Sequence, residues 1–362
     1  MKAFQRAIPA LRHFHLSQNL QHQQGLHRYA RLVHSSTTKA AVAHPVNASG
    51  PPPKPPASTA SPLRKRFWKD VHVKEAAGRH PTDVLFLSSL IDINMCFTLI
   101  GGHQIYLDSR PVRTPEKNIL TVPSSKPHLA HAIALEWDLL KTAQHATKYH
   151  LIPMTSITGR AEDIAAEDAK GVTTIRDDIT RVMLRYLETD TLLSWAPERE
   201  PDYVGRSEEK RETLREKQIK AAEPIISALV SAVWPGVELK PTLDANSIMP
   251  LPQPQQTIDF IRGWLSSLSP YDLAGVERAG IATKSLLVGT RVVIEWSENF
   301  RHIRPNGASR TFGIEEAAYA SSLEVRWQIE NWGEVEDTHD VEREDLRRQL
   351  GSVILLVSGC PA

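Results

Sequence analysis

No aspartate or glutamate occurs before Asp70, yet Lys2, Arg6, Arg12, Arg28, Arg31 and Lys39 all fall in the first forty residues. That asymmetry fixes where folding can begin. Phe4, Ile8 and Leu11 recur at helical spacing with Arg6 and Arg12 among them, although Pro9 would kink such a helix. Basic, acid-free, Ser-rich and weakly amphipathic is the mark of an organellar import sequence. The alternative is a disordered basic tail. A secretory signal fits poorly, because no uninterrupted apolar stretch of sufficient length is present. We expect a mitochondrial presequence over 1–40, processed between Arg28 and Ser36. Pro51 to Pro56 and the Ser/Ala/Pro stretch up to Pro62 predict an extended tether over 41–64 with no core of its own. The fold is therefore expected to start near Arg66.

Over the whole chain, 43 Lys and Arg oppose 42 Asp and Glu. Such balance gives no reason to expect nucleic acid as a partner, nor an anionic membrane surface. Cys96 and Cys360 are the only cysteines. They cannot make a disulfide framework or a zinc site, which agrees with a reducing compartment.

From Phe67 the pattern alternates as a strand, to Val73. Ile105 to Val112 reads as a strand running into a turn, and Asn118 to Val122 as another, closed by Pro123. Ser124 or Ser125 could cap a helix with Pro127 in its first turn and an apolar stripe of Leu129, Ile133, Trp137 and Leu140. Residues 65–159 thus predict a small α+β domain of antiparallel sheet plus helix. After Pro153 the strands stop. Helices are expected over 155–169, 173–187 (Ile175, Ile179, Val182 and Tyr186 on one face) and 208–233, the last interrupted at Pro224. More follow around Ile258 to Leu268, from Ser269-Pro270 to near Gly280, and over 314–332 and 341–353, while 284–296 is strongly apolar and is expected to be central. Residues 160–362 therefore read as an all-helical domain, with no internal repeat.

Val84 to Ile100 is apolar without strand alternation or helical stripe. Asp92 and Asn94 interrupt it, and it is too short for a membrane span. No phosphate-binding glycine loop, no Gly-x-Ser-x-Gly elbow and no metal-ligand spacing appears. His339-Asp340 could be half of a metal or general-base site. The simpler reading is a helix cap with first-turn acids at Asp337, Thr338 and Asp340, and with Arg347-Arg348 near the far end to complement the helix dipole. Glu330, Glu334, Glu336, Asp337, Asp340, Glu342, Glu344 and Asp345 crowd 16 positions against Arg343 alone. A solvated helix face would look like this. So would an acidic surface docking a basic partner, since Trp327, Ile329 and Trp332 lie among the acids.

Six phrases then read together. They are Lys65 to Lys69, Leu107 to Pro115, Ala134 to Asp138, Pro153 to Ser156, Tyr186 to Thr191 and Leu323 to Asp340, with Trp-Gly-Glu-Val-Glu-Asp-Thr-His-Asp (Trp332 to Asp340) the most specific. In this order the chain resembles the mitochondrial ATP synthase F(1) assembly factor 2 family, the chaperones of the F(1) alpha subunit. The resemblance runs from Lys65 to Ser358. It implies a small α+β domain followed by an orthogonal helical bundle, a matrix location, no catalysis and no cofactor. The implied partner is the unassembled alpha subunit, bound by a monomer with no stable membrane insertion. An orphan ring subunit exposes a partly apolar interface that would otherwise aggregate. The partner-contacting residues expected on this pattern are Glu324, Glu330, Trp332, Glu334, Glu336, Asp337, His339 and Asp340, with Gly333 and Trp332 fixing a helix end. Against the family, this chain carries about twenty extra residues, 80–100. They read as an aberrant insertion, most simply a retained intron, and Cys96 inside it should carry no function. Two alternatives are a matrix enzyme using the acids near His339, and a membrane-tethered factor using Val84 to Ile100.

Overall fold

The computed structural model describes residues 65–76, 101–197, 212–242, 249–303 and 310–360. The expected presequence, tether and 80–100 insertion, with Cys96, lie outside them. Four short antiparallel strands come first: β1 (Val71–Glu75), β2 (Gly102–Leu107), β3 (Arg110–Pro111) and β4 (Thr121–Pro123). β2 is central and pairs with all three others. Strand alternation does not extend back to Phe67. β1 and β2 pair from Val71↔Leu107 to Glu75↔His103, and Ala76 N–H reaches Gly102 O at 2.6 Å. The residues on either side of the insertion are therefore partners in a closed hairpin.

Among the described residues ten α-helices follow: α1 (Pro127–Leu139), α2 (Pro153–Asp168), α3 (Thr174–Glu188), α4 (Leu214–Ala232), α5 (Gln255–Ser267), α6 (Pro270–Thr283), α7 (Leu286–Trp296), α8 (Ile314–Ser321), α9 (Leu323–Trp332) and α10 (His339–Val357). Proline opens α1, α2 and α6, where its missing N–H costs nothing. Ser269 caps α6 as its sequence promised, accepting the Asp272 N–H at 3.2 Å. Neither Ser124 nor Ser125 caps α1. Lys126 occupies that position without a side-chain cap, and Ser125 Oγ lies 3.3 Å from Glu298 Oε1 instead. The predicted interruption at Pro224 does not occur, and α4 runs through it. Pro224 and Lys220, whose carbonyl loses its partner, are both exposed, so water can satisfy the group. The expected helix over 314–332 is broken at Ser322. Ser321 and Ser322 both turn their hydroxyls back onto the preceding turn, to Ala317 O at 2.8 Å and Ala318 O at 2.6 Å. α6 continues to Thr283, and Lys284 leaves it in the left-handed region.

α6 is the hub, packing against α2, α3, α7, α8 and α10. It meets α7 at very short range, because a Cβ on Gly289 would stand 2.6 Å from Gly280 N. One hydrophobic core runs from Trp68 on the sheet side to Val357 at the end of α10. α2 passes straight through residue 160. Two of the shared phrases meet through one carboxylate, and a third steadies a helix start. Glu136 of α1 accepts the N–H groups of Met154 and Thr155 at 2.7 and 2.9 Å, capping α2. Asp190 accepts the N–H groups of Leu192 and Leu287 at 2.9 and 3.1 Å, holding the start of α7. Burial lifts the Asp190 carboxyl to about 6 despite those bonds.

Candidate docking surface on the α9–α10 tip

The predicted contact residues come together at the turn between α9 and α10. Gly333 ends α9 at φ 91°, a conformation that favours glycine, and its N–H bonds Ile329 O at 2.8 Å. Asp337 sits at φ 59°, which aspartate tolerates better than most residues. His339 is a staple: its Nδ1 accepts the Val335 N–H at 3.0 Å, and its own N–H reaches Val335 O at 3.1 Å. The Trp-Gly-Glu-Val-Glu-Asp-Thr-His-Asp run thus encodes a tight turn. Thr338 takes the N-cap position of α10 and Asp340 lies in its first turn, as expected, although Thr338 makes no side-chain cap bond. Nor do Arg347 and Arg348 complement the helix end, because α10 continues to Val357.

Residues 330–338 are exposed without interruption. The acids divide into two groups. Glu330 pairs with Lys217 of α4 at 2.9 Å, Glu334 with Arg343 at 3.0 Å, Glu344 with Arg347 at 2.7 Å, and Asp345 with Arg348. More cations reach this surface than the sequence count of Arg343 alone implied. Glu324 lies a helix length away in the first turn of α9 and accepts from Gln328 Nε2 at 3.2 Å. Glu336, Asp337, Asp340 and Glu342 make no ion pair with any described residue. Asp340 Oδ1 is buried beneath the turn without a hydrogen-bond partner. Three apolar side chains share the tip: Trp332 at 58 % exposure, Val335 at 57 % and Val341 at 59 %. Trp332 stands edge-on to Trp327, with ring centroids 5.8 Å apart. Sequence reasoning found Trp332 but missed both valines. Their signal was present in hindsight, as single apolar residues inside an acidic run where no helical stripe needs them.

The enzyme alternative required these acids to converge in a concave pocket. They spread over an exposed helix end instead. Among the described residues, no group of three His, Cys, Asp or Glu side chains is placed to hold a metal. No described helix is long and apolar enough to cross a membrane.

Residues 65–230 match the family model described as ATP12 chaperone protein. Protein atp12, mitochondrial, of Schizosaccharomyces pombe is 30 % identical over 296 residues, 82 % of either chain. Protein ATP12, mitochondrial, of Saccharomyces cerevisiae is 34 % identical over 262 residues, 69 % of this chain and 77 % of the relative. The chain belongs to the ATP12 chaperone family. The crystal structure of Atp12 from Paracoccus denitrificans shares the fold, with a TM-score of 0.52 at 20 % identity over 81 % of this chain and 97 % of that one. In this ATP12 chain the small antiparallel sheet and the mostly helical remainder are therefore the family architecture.

Proposed function

We propose that this protein is a mitochondrial matrix chaperone for assembly of the ATP synthase F(1) sector, holding the unassembled alpha subunit as a monomer and catalysing no reaction. Family membership supports the chaperone role. The resemblance supplies the client, and the acid-free N-terminal segment supports the matrix. The α9–α10 tip carries the reading: four carboxylates without a cationic partner among the described residues lie in the same stretch of chain as three exposed apolar side chains. A client surface that is basic at its rim and apolar at its centre would satisfy both. Charge speeds encounter and deters wrong partners, while the modest apolar area lets the client be released.

The test is aggregation of the purified alpha subunit, followed by light scattering with and without this protein. The wild-type chain is expected to suppress scattering. The triple reversal Glu336→Lys, Asp337→Lys and Glu342→Lys should slow client association about tenfold or more at low salt. Equal scattering with and without the wild-type chain would refute the reading.

A further inference from the structure

A second surface at the sheet end has the opposite charge. Phe67, Trp137 and Pro111 wall a cleft of about 380 Å³, within the size range of small-ligand sites. Leu107 and Val112, both buried, form its floor. The aromatic wall is braced from behind. Phe67, 61 % exposed, stands edge-on to Trp68 at 4.8 Å, and Trp68 edge-on to Trp137 at 5.4 Å. Trp137 Nε1 is fixed on Thr155 Oγ1 at 3.1 Å. Two arginines line the same cleft. Arg110 lies over the Phe67 ring, 5.9 Å from its centroid, and its guanidinium makes no hydrogen bond or ion pair with any described residue. Arg113 spends one N–H on Lys117 O at 2.7 Å, and it too has no carboxylate partner among the described residues. Of the acids near it in the chain, Asp108 and Asp138 are engaged elsewhere, and Glu116, three residues after Arg113, forms no ion pair with either arginine. Asp108 accepts the backbone N–H groups of Lys69 and Asp70 at 3.0 and 2.9 Å, and Asp138 faces Arg66 at 3.4 Å. The cleft is thus apolar inside and positive at its mouth.

We propose that this cleft is a second docking site, taking an extended acidic segment of the protein client that carries an aromatic or leucine side chain. That side chain would fill the space between Phe67 and Trp137, and flanking carboxylates would pair with Arg110 and Arg113. Both halves of the chemistry are needed. A small anion would leave the aromatic wall uncovered, and a purely apolar group would desolvate guanidinium groups without pairing them. Only the identity of the client rests on the function proposed above; the chemistry of the cleft does not.

Two synthetic peptides test the inference by calorimetry on the full chain: acetyl-Asp-Glu-Phe-Leu-Glu-amide and its acetyl-Lys-Lys-Phe-Leu-Lys-amide counterpart. The acidic peptide should bind at least tenfold more tightly and shift the indole N–H resonance of Trp137. Reversal at the rim, Arg110→Glu with Arg113→Glu, should invert the preference. Reversal at the tip, Glu336→Lys with Glu342→Lys, should leave acidic-peptide binding within twofold. Equal binding of the two peptides, an unmoved Trp137 resonance, or displacement of the acidic peptide by an equal concentration of inorganic phosphate would each overturn it. Acidic-peptide binding that survives while the alpha subunit goes unprotected would count against the client and leave the cleft standing.

Discussion

Glu162 shows how far single residues depart from their sequence signature. It lies on α2, and its carboxylate takes the Tyr271 hydroxyl at 2.8 Å. Burial is the main influence and raises its carboxyl to about 7, with the neighbouring Asp163 adding to the rise. Asp163 is itself buried. Its Oδ1 accepts from Thr114 Oγ1 at 2.5 Å and Asn118 Nδ2 at 3.2 Å, and its Oδ2 has no partner. A raised folded-state value means that the native protein holds a proton which the unfolded chain has released. The stabilisation is complete below about 4.5, the unfolded value, and fades as pH rises to about 7. At pH 8 the fold carries a charge it would rather not bury. Glu162→Gln keeps the shape and removes that charge. In urea unfolding it should gain on the order of 2 kcal/mol over wild type at pH 8, and the advantage should shrink towards pH 5. A variant equally destabilised at both pH values would show that the carboxylate is needed ionised. Nothing in Ala161-Glu162-Asp163-Ile164 announces this. Adjacent acids in a helix read as solvated, and only the packing of α6 against α2 turns them inward.

Elements were legible where one force dominated. Apolar period found most of the helices, and Ile133, Ile179 and Ile261 are fully buried as their spacing requires. Boundaries failed where local hydrogen bonding competed with period. The paired serines at Ser321 and Ser322 end α8, and no hydrophobic pattern records that. Pro224 was overread, because its cost depends on whether the orphaned carbonyl faces water. At the tip, composition revealed the acids but not their pairing, since Lys217 lies 113 residues from Glu330. The insertion is the sharpest case at this scale. Its flanks are hairpin partners, so 25 residues, 77–101, join strand ends already held by Ala76 and Gly102. Deleting residues 79–99 leaves Ala77, Gly78, Ile100 and Gly101, a four-residue connection with glycine for the turn. Loop closure alone then favours the shortened chain by about 1–2 kcal/mol. We expect Tm to rise by a few degrees and client protection to be unchanged. A fall in Tm would show that the insert packs on the fold and belongs to it.

At the scale of the whole molecule, the acid-free N-terminal segment raised one question, where the working protein begins, and the contacts around Trp68 give an answer that can be tested. Trp68 is 1 % exposed, in the same core as Leu129 and Ile133. Just before it, Arg66 donates to Asp138 O at 2.8 Å and to Lys69 O at 3.0 Å, and Lys65 O accepts from Ala143 N–H at 3.4 Å. These bonds tie the chain to the end of α1 and to the segment after it. A chain beginning at Lys65 keeps all of them. One beginning at Lys69 loses the indole and both anchors. Removing a fully buried tryptophan costs about 3–5 kcal/mol, which for a protein of this size is roughly 5–15 °C in Tm. We therefore expect the chain starting at Lys65 to match the full-length protein in Tm and in protection of the alpha subunit, and the chain starting at Lys69 to melt well below both. Two outcomes would contradict this. Equal melting of the two truncations would mean that Trp68 contributes little. A loss of protection on removing residues 1–64, with Tm unchanged, would give that segment a part in holding the client.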